Sequence, residues 1–493
     1  MTSTQSDKPR RDTAAAEEEL FRHVIDLYEI GRKGRYGYRM PGTEADHEGA
    51  SYVAAELRRI GLRDVVMEPV PVALALPETW SFAVKEGSVI RSVACSFVRY
   101  AGYTPPQGMT AELVHVGRGS PAEFEAADVR GKIVLVDIVP IPALPNLGPR
   151  YFSYDPHDTS SSDLADLAWP LLNMNSSYQE AVKRGAVGWV GALEAFGDDT
   201  SEYHHLYFRY ELPAVTISAV DGRILKEQLR SPMTATLTLT GSRGQGVSYN
   251  VYGVVRGRRS DECIVVKTHH DGWATNEASG TAVALGVAKR MTAADAPKLD
   301  RTLVFFFRAS HFGIGWTITP DDMHISVADA TRIFGLNAGW DSFSSRARDL
   351  LPNTVVVNNI EMIGAQYRRG ADRRWFKADV PAVRYWGVTG PEGGPNPILL
   401  KAVQQVIVSN DLDRSHISNF MIGDGMTYSD LGVPVVNLIS HNAFQFTRKD
   451  TPETVMKEDL PKLVEAFVEL VQSEDVASAE ALHPVAPFAL NLP

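Results

Sequence analysis

From Ser248 onward, short apolar strands alternate with helices, and this alternation limits the fold more than any other feature of the sequence. The predicted strands are Val251–Val255, Cys263–Thr268, Thr302–Phe307, Val355–Ile360 and Val433–Ile439, and the predicted helices are Ser279–Met291, Ile398–Val408 and Leu460–Val471. Thr302–Phe307 is almost purely apolar, which is typical of a strand buried on both faces. The alternation predicts an α/β fold with a doubly wound, mostly parallel mixed sheet.

The N-terminal half has a different texture. Two helices are predicted at about 18–30 and 46–60, and a strand at Asp64–Val72. Residues 73–245 are rich in short β runs, so we expect a β-rich domain inserted into an α/β domain formed by 18–72 and 246–478. Within the insertion, residues 138–175 are rich in Pro, Ser and Asp and are predicted to form a long surface loop or a lid. Residues 1–17 are predicted to be a disordered tail, and residues 479–493 a C-terminal tail.

Composition excludes several classes of function. The formal net charge is −11 over 493 residues, which argues against a nucleic-acid partner because no basic stripe is available to contact phosphates. The two cysteines, Cys95 and Cys263, lie far apart, which argues against a disulfide scaffold or a thiolate zinc site. No apolar run approaches the roughly 18 residues of a membrane span, and the N-terminus has no apolar signal segment. The sequence predicts a cytoplasmic protein without a membrane partner.

The residues just after each predicted strand are the candidates for chemistry, because ligands bind beyond the carboxyl ends of strands in sheets of this kind. Histidines and carboxylates are concentrated there, and these side chains serve as metal ligands and as general acids and bases. The candidates are His269, His270, Asp271, Asn276, Glu277, His311 and Glu361.

Several segments, taken in order, resemble the zinc aminopeptidase family (clan MH), which includes glutamate carboxypeptidase and glutaminyl cyclase. The segments are PGTEADHEGASYVAAELRRIGL, SYNVYGVVRGRRSDECIVVKTHHDGW, NEASGTAVAL, RTLVFFFRASHFGIG, NNIEMIG and SDLGVPVVNLISHNAFQFTRKDTPET. The insertion at 73–245 resembles a protease-associated domain. The resemblance extends over roughly residues 20–475 and implies the aminopeptidase fold and the hydrolysis of an amide bond.

The resemblance also implies a metal site that has changed. In the family, two zinc ions share a bridging aspartate, and a glutamate acts as the general base. Carried over to this sequence, the first metal keeps His269 and Glu361 as ligands. Four positions differ: Asn276 stands in place of the bridging aspartate, His311 in place of the second metal's glutamate, Phe446 in place of its histidine, and Ser310 in place of the general base.

These changes favour a single metal ion. Two divalent cations close together need anionic ligands to offset their repulsion, and the bridge and one terminal carboxylate are missing here. His269, His311 and Glu361 would still form a set of two histidines and one carboxylate. Such a set suits a catalytic zinc ion, with iron or manganese as the alternatives.

Other candidates have a structural alternative beside the functional one. Asp271 is expected to orient His269, or to be a turn carboxylate. Glu277 is the replacement general base, or an acid favoured by the start of a helix, and His311 is a second candidate for acid–base catalysis. The candidates for substrate binding are His270, Asn276, Trp273 and Tyr428. Alternation along a strand turns His270 away from its neighbour, and aromatic residues are more often part of a core.

Three hypotheses follow for the function. The first is a metal-dependent hydrolase of an amide bond in a small molecule or short peptide-like substrate. The second is a non-hydrolytic enzyme on the same scaffold, either a lyase or isomerase or an iron-dependent oxygenase. The third is a catalytically inactive binding homologue. The family often pairs its chains, so a homo-oligomer stays open as well.

Overall fold

The structure, a computed structural model, confirms an α/β fold around a mostly parallel sheet. It describes residues 10–139, 150–156, 170–194, 200–204, 211–259, 261–273, 275–313, 353–369, 375–377, 380–392, 394–419, 421, 423–440 and 444–485. Most of the predicted loop or lid at 138–175 and the ends of both predicted tails lie outside these residues.

The α-helices of the described residues are numbered in chain order. They are α1 Arg10–Lys33, α2 Glu44–Ile60, α3 Pro121–Glu125, α4 Pro170–Lys183, α5 Ala219–Gln228, α6 Thr275–Thr292, α7 Pro397–Ser409, α8 Gly425–Asp430, α9 Leu460–Val476 and α10 Ala479–Leu482. Helix α2 ends where the sequence predicts, at Gly61, whose φ of 97° is the left-handed conformation that closes a helix.

The strands are numbered in the same way. They are β1 Arg63–Glu86, β2 Val89–Val93, β3 Cys95–Phe97, β4 Met109–His115, β5 Ile133–Ile138, β6 Phe152–Tyr154, β7 Gly188–Leu193, β8 Ala214–Ser218, β9 Thr234–Val255, β10 Cys263–His269, β11 Thr302–Arg308, β12 Thr354–Glu361, β13 Tyr367–Arg369, β14 Trp375–Lys377, β15 Arg384–Val388, β16 Ser415–Ser418 and β17 Val435–Ser440. Four of the five strands predicted after Ser248 lie within two residues of their predicted bounds, whereas the predicted Val251–Val255 is the last part of the much longer β9, Thr234–Val255.

Strand β10 lies at the centre of the region that carries the candidate residues. It pairs in parallel with β11 on one side and with β12 on the other, and β12 continues in parallel to β17. The order β11-β10-β12-β17 brings the carboxyl ends of four strands to one edge of the sheet. Strand β9 borders β11 and β15 borders β17, both antiparallel, so the sheet is mixed, as predicted.

Two long strands connect the N-terminal β-rich segment to this sheet. Strands β1 and β9 form an antiparallel ribbon that passes through both predicted boundaries of the insertion, with Val72 opposite Gly246 and Ala73 opposite Gln245. The separate domain at 73–245 therefore stays a prediction, because the ribbon and the sheet order run continuously across its limits.

The predicted N-terminal tail is too long. Helix α1 begins at Arg10, so residues 10–17, which the sequence analysis assigned to a disordered tail, are helical. Three consecutive alanines and three glutamates precede Leu20, and both residue types favour a helix. Leu20, Val24 and Leu27 then anchor the helix in the core. None of the described helices combines the length and apolar character needed to cross a membrane.

The packing of α6 on the sheet generates a stability prediction. A Cβ added at Gly280 would lie 2.6 Å from the carbonyl oxygen of Ile360 and 2.9 Å from Oγ1 of Thr268. Because backbone cannot yield as a flexible side chain does, Gly280→Ala should lower the free energy of unfolding by about 1–3 kcal/mol, despite the higher helix propensity of alanine. Urea denaturation measures this. Gly244→Ala is the control, since no heavy atom lies within 4 Å of its Cβ, and equal losses in both variants would contradict the packing.

A buried carboxyl under β12 predicts a pH dependence of stability. Burial raises the pKa of Glu474 to about 8, while Nδ2 of Asn358 donates a 2.6 Å hydrogen bond to its Oε2. With a pKa raised in the folded state, the stability it contributes is present at low pH and is lost as pH rises from about 4.5 to 8.

Glu474→Gln should therefore gain stability relative to wild type as pH rises from 5 to 8.5, measured by urea denaturation at each pH. The exposed Glu480 on α10 provides a control. Parallel pH profiles of wild type and Glu474→Gln would show that this carboxyl does not titrate in the expected range.

Candidate active site

A row of polar side chains crosses the carboxyl edge of the sheet. Residues paired across neighbouring strands point to the same face, as do residues two apart on one strand. Lys267 and His269 on β10 therefore share a face with Arg308, which pairs with His269. Asn359, which pairs with Lys267, extends the row on β12. The register thus gathers the polar ends of these strands into one site.

His269 lies between two carboxylates. Its Nδ1 is 3.1 Å from the carbonyl oxygen and 3.5 Å from Oδ1 of Asp271, and its Nε2 is 3.3 Å from Oε2 of Glu277. Asp271 is fixed by the backbone N–H of Phe312, which donates to its Oδ2 at 2.8 Å. The structure thus brings three of the predicted site residues, His269, Asp271 and Glu277, into contact.

Burial and these contacts shift the pKa values of His269, Asp271 and Glu277 in opposite directions. Burial disfavours the imidazolium, but Asp271 and Glu277 outweigh burial and raise the pKa of His269 to about 10. Burial also opposes ionisation of Asp271, but His269 holds the pKa of this carboxyl below its usual range. Burial raises the pKa of Glu277, although His269 opposes the rise. Glu277 is thus the stronger base of the two carboxylates.

His311 stacks directly on His269. The ring centroids lie 4.2 Å apart with planes 14° from parallel. Nδ1 of His311 lies 2.7 Å from Oδ1 of Asp424. The backbone at Ser310 reaches a φ of 56°, a left-handed conformation that turns the chain sharply between the end of β11 and His311. His269 and His311 thus share one arrangement: Nδ1 of each ring lies beside an aspartate, Asp271 for the first and Asp424 for the second.

Glu361 joins the same cluster from the end of β12. Its Oε1 accepts hydrogen bonds from Nδ2 of Asn359 at 2.6 Å and from the backbone N–H of Asp424 at 2.7 Å. His311, Glu361 and Asp424 offer ligand atoms that all lie within 4.8 Å of one another. Among the described residues, this group of potential metal ligands does not include His269, which reaches it through the stacked ring of His311.

Sequence reasoning gave no role in the site to three of its charged residues. Nζ of Lys267 contacts Oδ2 of Asp424 and donates to Oδ1 of Asn359 at 3.1 Å, and the Arg308 guanidinium contacts Oδ1 of Asp424. Burial opposes the ionisation of Asp424, but Arg308, His311 and Lys267 hold its pKa well below the usual range. The signal in the sequence was a lysine that directly follows the apolar run of CIVVKTH and an arginine that ends the apolar run of TLVFFFR.

Phe446, which stands where the resemblance implies a metal-binding histidine, lies in an aromatic cluster. Its ring centroid is 5.2 Å from that of Phe312 and 5.4 Å from that of Trp273. Trp273, a predicted substrate-binding residue, stacks on Tyr38 at 4.0 Å and is only 2% exposed. Phe312 lies edge-on to His311 at 4.4 Å. Apolar rings therefore occupy the side of the site where the second metal's histidine is expected.

The remaining predicted substrate-binding residues take different places. His270 points away from His269, as the alternation predicts, with Nδ1 3.5 Å from the Asp46 carboxylate and Nε2 2.6 Å from a backbone carbonyl. The ring of Tyr428 is buried, 5.8 Å from Nζ of Lys267. Asn276 lies in the first turn of α6, and its side chain is outside the described part of the structure.

The ion cluster around Asp424 generates a prediction about stability. Asp424→Asn keeps the shape of the side chain but leaves Lys267 and Arg308 buried without their common counter-charge. Removing one partner of a buried ion pair costs about 3–5 kcal/mol, so the urea midpoint should fall strongly. Asp64→Asn is the control, because the Asp64–Arg256 pair is exposed and such pairs contribute at most about 1 kcal/mol. Similar small losses in both variants would show that the cluster does not carry the stability assigned to it.

Comparison with solved structures gives matches over nearly the whole chain. A peptidase M28 precursor from Shewanella amazonensis is 18% identical, with a TM-score of 0.69 over 97% of this chain and 99% of that one. A zinc aminopeptidase from Bacillus subtilis is 18% identical, with a TM-score of 0.61 over 94% and 97%.

An aminopeptidase from an Aneurinibacillus species is 17% identical, with a TM-score of 0.56 over 98% of both chains. No family model and no curated protein matches the sequence. The chain has the fold of the M28 peptidases and zinc aminopeptidases, as the sequence motifs predicted.

Proposed function

We propose that this protein is a metal-dependent hydrolase that cleaves an amide bond in a short peptide-like substrate with a single divalent ion. The single observation that carries the proposal is a set of buried polar atoms, at the strand ends and the start of α6, that have no hydrogen-bond partner in the described part of the chain. These atoms are Nε2 of His269, Oδ1 of Asp271, both carboxylate oxygens of Glu277 and Oε2 of Glu361. Buried polar atoms are rarely unpaired, and a cluster of them is typical of a site for an ion or a substrate.

The donor set fits a metal ion. Histidines that bind metals usually have the second ring nitrogen held by a carboxylate or a carbonyl. Here Asp271 holds Nδ1 of His269, and Asp424 holds Nδ1 of His311, which leaves the Nε2 atoms for an ion. Oε2 of Glu361, in the same cluster, has no hydrogen-bond partner among the residues that the structure describes. Our proposed ligands are therefore His269, His311 and Glu361.

Zinc is the first choice for this ligand set, because imidazole and carboxylate suit it in catalytic sites, and iron or manganese are the alternatives. When bound, such an ion would polarise the substrate carbonyl and lower the pKa of a water molecule. The likeness in fold to aminopeptidases supports a peptide-like substrate and an amide bond as the target.

Glu277 is the general base in this proposal. Its carboxylate is fully buried and burial raises its pKa, and neither oxygen has a hydrogen-bond partner among the described residues, although Oε2 lies 3.3 Å from Nε2 of His269. A carboxylate with a raised pKa accepts a proton more readily near neutral pH. Glu277 takes a proton from the attacking water and passes it to the departing nitrogen of the amide. Asp271 keeps His269 in orientation during the reaction.

Replacing the proposed base tests the catalytic role. Glu277→Gln should lower kcat by about 10²–10⁴-fold, because the variant cannot accept a proton. The assay uses a panel of aminoacyl-p-nitroanilides and dipeptides with added Zn²⁺. Metal content should stay at the wild-type level, since Glu277 is not among the proposed ligands. Glu480→Gln on the exposed face of α10 is the control. Unchanged kcat in Glu277→Gln would remove Glu277 as the base.

Metal analysis tests the ligand set. Mass spectrometry of purified wild type should find one ion per chain, and His269→Ala and His311→Ala should each lose it. His270→Ala is the matched control, because this histidine faces away from the cluster. A metal-free wild type that binds no added Zn²⁺ would contradict the proposed function. Bound iron would instead favour an oxygenase on the same scaffold.

A further inference from the structure

Two buried cations lie in the site without a role in the proposed hydrolysis, the Lys267 ammonium and the Arg308 guanidinium. Their side chains are 1% and 4% exposed, respectively. Both contact the carboxylate of Asp424, one on each oxygen. Lysine and arginine are almost never fully buried unless they are paired. Because both cations contact Asp424, two positive charges lie close together next to the candidate ligands.

Their position relative to the proposed ligands is set by the strand register. Arg308 pairs with His269 across β10 and β11, and Lys267 precedes His269 by two residues on the same face. His311 contacts the same Oδ1 of Asp424 that Arg308 contacts. Any ion bound by His311 and Glu361 is therefore close to two fixed positive charges.

The charges of the site decide how many ions it can hold. Among the described residues, the buried carboxylates beside His269 and His311 are those of Asp271, Glu277, Glu361 and Asp424. Lys267 and Arg308 already offset negative charge at Asp424, and the buried Arg39 and Arg99 interact electrostatically with Asp271. A second divalent ion would add further positive charge to a buried site that already holds these cations, which is strongly unfavourable.

We propose that Lys267 and Arg308 are fixed cations that take the electrostatic place of a second metal ion and limit the site to one divalent ion. This inference rests on the metal site of the proposed function. Because both cations pair with Asp424, this carboxylate does not serve as a metal ligand. It positions His311 instead, by contacting Nδ1 of the imidazole. The aromatic cluster around Phe446 excludes a further ligand on that side.

The test is a Zn²⁺ titration of metal-free protein in competition with a chromophoric chelator, followed by metal analysis after gel filtration. Wild type should bind one Zn²⁺ per chain. Lys267→Met keeps the Arg308–Asp424 pair, which protects folding, and should bind Zn²⁺ with a Kd lower by about tenfold or more, because one nearby positive charge is gone. The double variant Lys267→Met with Arg308→Met should take up a second ion.

Charge-conserving variants are the matched controls. Lys267→Arg and Arg308→Lys keep the positive charge, so their stoichiometry and Kd for Zn²⁺ should stay at the wild-type values. Thermal melting of each metal-free variant shows whether it is folded. If the double variant is unfolded, the Kd of Lys267→Met for Zn²⁺ decides whether the inference holds.

Each outcome separates this inference from the proposed function. If wild type binds one Zn²⁺ and Lys267→Met has the same Kd and stoichiometry, the inference fails and the proposed function stands. If wild type binds two ions, the inference also fails. If wild type binds none but Lys267→Met binds Zn²⁺, the cations exclude every metal ion, so the limit of one ion is wrong and the metal-dependent function fails with it. If neither binds Zn²⁺, both are overturned.

Discussion

The carboxylate of Asp424 is the point on which the site depends. It meets Lys267 from β10, Arg308 from β11 and His311 from the turn after β11. Its backbone N–H also donates to Glu361 at the end of β12. Three strand ends are thus tied to one buried carboxylate. The energy of such a cluster depends on every partner being present, because the loss of one leaves an uncompensated charge in a medium that solvates it poorly.

The paired and the unpaired polar groups of this site act on stability in opposite directions. The paired groups around Asp424 stabilise the strand ends, whereas atoms of His269, Glu277 and Glu361 that have no hydrogen-bond partner among the described residues are a cost that the rest of the fold must offset. The large apolar core between the sheet and helices α1, α6, α7 and α9 supplies that stability. A rigid scaffold with unsatisfied polar groups at one edge is what a binding or catalytic site requires.

Much of the fold could be predicted, because the helices and strands show the apolar periodicity that is typical of each type. The strands after Ser248 and the stop of α2 at Gly61 follow from local pattern and turn chemistry. The start of α1 was missed because its first turns carry no apolar stripe. The sequence placed His269, His311 and Glu361 after strands, and the structure brings them to one edge of the sheet, while their roles stay predictions. Lys267 and Arg308 were given no role, because a charge within or at the end of an apolar strand indicates nothing until its partner is known.

The sequence by itself determined where the strands end and which side chains follow them, because apolar runs and side-chain alternation are local properties. Only the tertiary structure decided that Asp424 meets Lys267 and Arg308, residues more than a hundred positions away in the chain. The stacking of His269 on His311 and the aromatic cluster around Phe446 were decided in the same way. These contacts depend on strand register and packing, which bring together residues that no local pattern relates.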